Sequence, residues 1–270
     1  MTPARILIIA GSDSGGGAGI QADIKTVTAL GGYAMTAITA LTAQNTLGVQ
    51  GVEPVSPAFI KAQMRSVLDD LGVDCLKTGM LHDTAVIDAV VETIESSARN
   101  IPLVVDPVMV AQSGDRLVSE QAVQHLRETL IARASLITPN LPEAEVLLGR
   151  AIPDVESMQA AAEDLLSLGC QAVLLKGGHI QDQAELVDVL ATATGPLVFR
   201  HERIETTSDH GTGCTLASAV AEGIGRGLDL ETAVRRGRAY LQAALASAVP
   251  LGHGHGPVNH GHTIMPFGLS

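Results

Sequence analysis

Apolar residues arrive along this chain in short unbroken runs, separated by longer stretches of mixed apolar and polar positions. The runs are "RILIIAG" (5–11), "AMTAITALTA" (34–43), "CLKTG" (75–79), "PLVVDPV" (102–108), "SLITPN" (135–140), "AVLLKGG" (172–178), "LVDVL" (186–190) and "PLVFRHE" (196–202). Short runs of this kind, bounded by Gly, Pro, Asp or Asn, read as strands buried on both faces. Helices are predicted between most of them, near 18–30, 57–71, 83–98, 119–133, 142–149 and 155–168, with two more near 213–226 and 229–248. Strand–helix alternation predicts an α/β fold, a mostly parallel central sheet with helices on both faces. The pair 186–202 has no helix between its strands and is expected to close as a hairpin on one edge. No linker, repeat or low-complexity insert appears before residue 250, so a single domain over 1–270 is expected.

Composition sharpens this picture. Hydrophobic residues make up 46% of the 270 positions but aromatics only 2%, with no Trp, so the core must be built from Ala, Val, Leu and Ile. The formal net charge of −12 argues against a nucleic-acid partner and an anionic membrane surface. A phosphate-bearing substrate would need local cations or backbone N–H groups to offset that field. Cys75, Cys170 and Cys214 are widely spaced, with no CxxC pair, which speaks against a disulfide framework. The N-terminal stretch lacks the apolar run of a signal peptide, and no stretch reaches membrane-spanning length. A reduced, cytoplasmic protein is the expectation.

In sheets of this class ligands bind beyond the carboxyl ends of the strands, and the unusual residues cluster there. "GSDSGGGAG" follows the first run, "DP" the fourth, "TPNLPEAE" the fifth and "KGGH" the sixth. Residues 17–22, G-A-G-I-Q-A, formally match a dinucleotide fingerprint. The match starts too far from the strand end, however, and no acidic residue ends a second strand at the right distance. A tight turn, or a small-substrate pocket formed by the loop and Asp23, are the other readings. A P-loop is excluded, because the chain has no Gly-Lys dipeptide. "HGTGCT" (210–215) offers another way to hold phosphate. Its glycines let N–H groups converge, and a helix begins directly afterwards, where anions are attracted. The same position would lower the pKa of the Cys214 thiol. A tight turn into a packed helix is the plainer alternative.

The segments "GSDSGGGAGIQADIKT", "TALTAQNTLGV", "KTGML", "VVDPVMVAQSGD", "LITPNLPEAE", "VLLKGGH" and "DHGTGCTLASA" follow one another over nearly the whole chain. Together they resemble the bacterial hydroxymethylpyrimidine/phosphomethylpyrimidine kinases of thiamine biosynthesis, members of the ribokinase-like superfamily. The resemblance implies a ribokinase-like three-layer sandwich and a homodimer. It implies transfer of the ATP γ-phosphoryl to 4-amino-5-hydroxymethyl-2-methylpyrimidine, and a second transfer giving the pyrophosphate. The backbone of Gly211, Thr212, Gly213 and Cys214 would form an anion hole, and Lys176 would meet the ATP phosphates. Asp106 and Glu143 would hold Mg²⁺, since hard oxygen ligands suit it, with Asn140 supporting that shell. Gly11, Asp23, Gln44, Met80 and Val108 match the pyrimidine-lining positions. Gln44 can donate and accept at once, as an aminopyrimidine edge requires.

Cys214 stands where the superfamily has an Asp base. It would either take the hydroxymethyl proton or only shape the hole. Two departures stand out: Gln112 replaces a frequent Lys, and Asp209 replaces a frequent Thr. A carboxylate at Asp209 should repel phosphate unless it is offset. The tail "HGHGPVNHGH" (253–262) matches the family and offers histidines to a metal, although intervening glycines give them no fixed geometry. Two other functions compete with the pyrimidine kinase. One is a pyridoxal kinase, whose substrate is also a planar nitrogen ring with a hydroxymethyl group. The other is a non-catalytic pyrimidine-binding sensor.

Overall fold

The computed structural model describes residues 2–109, 118–178, 185–264 and 268. The first run forms β1 (Arg5–Ala10), buried at every position after Arg5. It leads through the glycine loop into α1 (Gly19–Ala29) and then β2 (Tyr33–Ile38), which pairs parallel with β1. The run 34–43 is therefore not one strand. It breaks at Thr39, whose N–H donates to Ala10 O at 3.0 Å. Beyond the break, β3 (Ala40–Asn45) leaves the main sheet and pairs antiparallel with β4 (Gly48–Pro54), a strand the apolar pattern did not reveal. Every residue of β4 is at least partly exposed, so no buried face imposes an alternating pattern on "GVQGVEP".

Side-chain caps mark the starts of the next five described α-helices. Ser56 accepts from the Phe59 N–H ahead of α2 (Pro57–Asp70), with proline at the first position. Asp83 caps α3 (Thr84–Ser97), and Ser119 caps α4 (Glu120–Thr129). Strands β5 (Cys75–Thr78), β6 (Leu103–Val105) and β7 (Leu136–Ile137) lie between these and α5 (Leu141–Leu148). Asp154 caps α6 (Val155–Leu166), which precedes β8 (Ala172–Lys176). The edge hairpin is β9 (Glu185–Thr192) and β10 (Gly195–Glu202), followed by α7 (Thr212–Gly225) and α8 (Leu230–Ala246).

The sheet has eight strands in the order β10-β9-β8-β7-β6-β5-β1-β2. It is parallel from β2 to β8 and antiparallel at β8–β9 and β9–β10. Side chains alternate across it. Leu7 and Ile9 join Leu76, Val105 and Ile137 beneath α2 to α6, whereas Ile6, Ile8 and Ala10 join Val104, Leu136 and Leu174 beneath α1, α7 and α8. This is the expected three-layer sandwich, filled by aliphatic side chains. The order reverses at β1, which lies between β5 and β2, so a ligand crevice is expected beyond its carboxyl end. No described helix is long and apolar enough to cross a membrane.

Candidate active site

A cavity of about 1070 Å³ opens at the carboxyl ends of these strands. Gly11 and Met80 line it beyond β1 and β5, Asp106 and Val108 beyond β6, Asn140 and Glu143 beyond β7, and Lys176 at the end of β8. Residues 211–214 enter from α7, and Gln44 from the β3–β4 hairpin. Asp23 alone among the anticipated residues stands outside this lining.

The charged centre is a lysine–aspartate pair. Asp106 donates its N–H to Thr78 O at 2.9 Å, which fixes it to the end of β5. Its Oδ1 accepts from Thr138 Oγ1 at 2.9 Å and from Lys176 Nζ at 3.2 Å. Burial alone would raise the Asp106 pKa, but Lys176 and Lys77 outweigh it and hold the carboxyl below its ordinary value. Asn140 and Glu143 form a capping box on α5: Glu143 N–H donates to Asn140 Oδ1, and Asn140 N–H to Glu143 Oε2, both at 2.9 Å. The Asn140 Oδ1 is thus engaged by the helix start. Burial pushes the Glu143 carboxyl up to about 7, with Lys176 opposing and Asp106 adding.

The anion loop depends on close backbone approach. Gly211 has φ 82°, and a Cβ there would sit 1.9 Å from Gly17 O, so only glycine fits. No side chain caps α7. The Thr212 N–H turns back to Asp209 O at 3.4 Å, while Gly213 and Cys214 follow in the first turn, where helix geometry provides no backbone partner. A Cβ on Gly213 would lie 3.3 Å from Lys176 Nζ and 3.7 Å from Asp106 Oδ2, so this turn faces the ion pair.

The N-terminal glycine loop has a different use. Its N–H groups are consumed by Asp13: Gly15 donates to Oδ1 at 2.8 Å, and Gly17 and Ala18 donate to Oδ2 at 2.9 and 2.8 Å. That leaves them unavailable to a pyrophosphate and removes the dinucleotide reading. His210 Nε2 lies 3.0 Å from Asp13 Oδ2 and 3.4 Å from Gln44 Nε2. Burial alone would raise the Asp13 pKa, but His210 and the loop N–H groups outweigh it. Neither Asp13 nor His210 was singled out from the sequence, because their contact with each other spans 197 positions.

Three expectations need correction. Asp23 is fully buried and accepts from Lys77 Nζ at 3.0 Å on both oxygens and from Ser218 Oγ at 2.6 Å. It supports the cavity wall from behind, and Lys77, which the sequence reading passed over, is the member of the pair that lines the cavity. The second correction is the Cys214 thiol, whose pKa is not lowered by its helix start. Burial pushes it up to about 12; Lys77 opposes this, and Asp23 and Asp106 add to it. Cys214 is therefore expected to rest as a thiol in the free protein. Its alkylation by iodoacetamide in the free protein is expected to stay slow to about pH 9 and to rise only toward pH 12. Site-resolved mass spectrometry would measure this, and a plateau by about pH 8 would mean a resting thiolate.

The third concerns Asp209, whose Oδ1 lies 2.7 Å from His255 Nδ1, so its carboxylate faces a partner from the tail rather than the phosphate loop alone. The tail is a strap. His255 N–H donates to Thr46 O, Gly256 N–H to Thr207 O and His210 N–H to Gly256 O, which joins the β3–β4 turn to the approach to α7. Its histidines turn to different partners: His260 packs near Thr26 and Tyr240, and His262 Nδ1 lies 2.9 Å from Asn259 O. Among the described residues no group of three or more His, Cys, Asp or Glu side chains is placed to hold a metal. Gln112 lies outside the described residues.

Gln44 sits at a register shift in β3. Its N–H donates to Ser14 Oγ at 2.8 Å, and Ser14 Oγ donates to Gln44 O at 2.9 Å, which ties the hairpin to the glycine loop. A Cβ on Gly11 would meet Met80 Cε at 2.5 Å, so the glycine leaves room for that side chain against the cavity.

Comparison with known proteins agrees with this geometry. The family model for phosphomethylpyrimidine kinase matches residues 13–259. The chain is 50% identical over 94% of its length to the thiamine biosynthesis bifunctional protein ThiED of Geobacter sulfurreducens, of which it spans 52%. It is 44% identical over 97% of its length to a hydroxymethylpyrimidine/phosphomethylpyrimidine kinase of Streptomyces coelicolor, covering 96% of that protein. The ADP complex of Bacillus subtilis pyridoxal kinase superposes with a TM-score of 0.89 at 36% identity, covering 97% of this chain and 98% of that one. A matched model spanning most of the sequence, and relatives of this identity, place the chain in the phosphomethylpyrimidine kinase family.

Proposed function

We propose that this protein uses ATP to phosphorylate 4-amino-5-hydroxymethyl-2-methylpyrimidine, first to the monophosphate and then to the pyrophosphate, in thiamine biosynthesis. One observation supports this most. A single cavity sets the Lys176–Asp106 pair against the uncapped first turn of α7, with Gln44, Met80 and Gly11 along the same wall. The first part suits a moving phosphoryl group, and the second a flat, hydrogen-bonding ring.

In this reading Lys176 draws the nucleotide phosphates, and the N–H groups of Gly213 and Cys214 receive the charge that builds on the transferred group. Gln44 orients the aminopyrimidine edge, and Met80 packs on the ring. Cys214, as a neutral thiol, shapes the hole beside the hydroxymethyl group. Loose phosphoryl transfer needs little help from a base. Asp106 and Glu143 supply two buried hard oxygen donors, a set that fits Mg²⁺ completing its shell with phosphate and water. When bound, Mg²⁺ would neutralise phosphate charge. In the second transfer the acceptor is itself a phosphate, so the cation at Lys176 and the α7 N–H groups carry more of the work. Three free thiols fit a reduced, cytoplasmic setting. Tyr33, Leu41 and Val52, exposed on β2 and the hairpin, suit contact with a second copy in a homodimer.

The test is product analysis with ATP and three acceptors in parallel: the hydroxymethylpyrimidine, its monophosphate and pyridoxal. Conversion of both pyrimidines, each in preference to pyridoxal, is expected. If the monophosphate is never converted at saturating Mg·ATP, the two-step reading fails and a single-step vitamin kinase replaces it. Binding of the pyrimidine without ATP turnover would leave a sensor.

A further inference from the structure

Lys176 and Asp188 are register partners on the antiparallel strands β8 and β9. Directly opposed residues of this kind share one face of the sheet, with Cβ atoms about 4.5–5.5 Å apart. An aspartate in that position is the natural partner of the lysine, yet the two are not paired. Lys176 Nζ turns instead to Asp106 Oδ1, 3.2 Å away. Asp188 is occupied elsewhere: Arg238 Nε donates to its Oδ2 at 2.8 Å, and the Gly177 N–H to its Oδ1 at 3.1 Å. Asp188 is 6% exposed, and it lines the same cavity as Lys176.

Arg238 reaches this point from α8 and is itself firmly held. Its guanidinium carbon lies 4.8 Å from the centre of the buried Phe199 ring, and another of its nitrogens contacts His201 Nδ1. A planar, permanently charged fork stacked on an aromatic ring is a rigid donor. The Gly177 contact is equally constrained, since a Cβ on Gly177 would fall 2.0 Å from Val187 O.

We propose that Arg238 is a positioning residue of the kinase reaction: by engaging Asp188 it keeps that carboxylate from capturing Lys176 and from repelling the nucleotide phosphates. In a chain of net charge −12, an unengaged carboxylate beside the one lysine meant for a polyanion would oppose binding. The argument rests on the reading that Lys176 meets the ATP phosphates.

The experiment is a double-mutant cycle on the full chain, with the ATP KM and kcat measured at saturating pyrimidine, and pyrimidine Kd by calorimetry. Arg238→Gln is expected to raise the ATP KM about tenfold while pyrimidine Kd stays within about twofold. Adding Asp188→Asn keeps the acceptor for Gly177 but removes the charge, and should bring the ATP KM back to within about threefold of the parent. Asp188→Asn alone should lower the ATP KM. An unchanged ATP KM in Arg238→Gln, or no recovery in the double variant, overturns the proposal. If Arg238→Gln does not fold, Asp188→Asn decides: a rise in ATP KM there means that the carboxylate itself is needed, and the proposal falls. Lys176→Ala in the same assay separates the two readings. If it leaves the ATP KM unchanged, the phosphate placement has failed; if it raises the KM while Arg238→Gln does not, only the role of Arg238 has failed.

Discussion

Lys176→Ala is expected to lower kcat/KM for ATP by about 10²–10³-fold, the cost of deleting one preorganised charge partner of a transferring group. Pyrimidine Kd should move by no more than about threefold, because Gln44 and Met80 enter from other elements. The size of the effect follows from how the ammonium is held. The lysine is the last residue of β8, its N–H donates to Pro139 O at 2.9 Å, and its Nζ lies 3.2 Å from Asp106 Oδ1. A Cβ on Gly213 would come within 3.3 Å of that nitrogen, so the anion loop and the cation meet at one point. Alanine removes the cation and leaves Asp106 with Lys77 as its remaining neighbouring charge of opposite sign. ATP and pyrimidine titrations by calorimetry check this. Equal losses for both ligands would put Lys176 outside the phosphate site.

The largest stability loss should come from Asp23→Ala. It leaves the Lys77 ammonium buried without its carboxylate, a change that typically costs about 3–5 kcal/mol and lowers Tm by roughly 10 °C in a domain of this size. Burial alone would lower the Lys77 pKa. Asp23 first, then Asp106, outweigh this and keep the lysine charged. Ser218, from α7, donates to the same carboxylate, so the pair also ties α1, β5 and α7 together. Asp23→Asn should recover part of the loss by preserving shape and one acceptor. Thermal melts with pyrimidine titrations decide the point. A protein that melts normally but no longer binds the pyrimidine would restore Asp23 to the substrate-binding role that the family resemblance implied.

Much of the architecture was legible because strand burial writes itself as apolar runs. The runs at 5–11 and 172–178 became β1 and β8, and the residues just past their ends line the cavity. The hairpin of β3 and β4 was not legible, since β4 buries no face and carries no periodic signal. Asp13 was hidden for another reason. Its role is to gather the N–H groups of its own loop and to meet His210, which is 197 positions away. Lys77 sits in "CLKT", four residues that are all buried, and nothing local announces that its partner is Asp23. Cys214 was placed correctly at a helix start, but its acidity depends on the depth of burial and on Asp23 and Asp106, which only the assembled layers bring near. Asn140 was read as support for a cation shell; it lines the cavity, and its Oδ1 also closes a capping box with Glu143.

The strap that joins Thr46 to the approach of α7 has a consequence for synthesis. His253 reaches Thr46 across 207 positions, and His210 reaches Asp13 across 197. Each such contact closes a loop most of the chain long, so it forms late, after local helices and neighbouring strands have condensed. On the ribosome the sheet can grow from its first strands while the pyrimidine side and the phosphate side remain unjoined. The backbone links of the strap between the β3–β4 turn and the approach to α7 are added last, when residues 253–256 have emerged. A nascent chain lacking them should be compact yet catalytically silent, and ligand binding by a stalled chain should switch on within that short stretch of elongation.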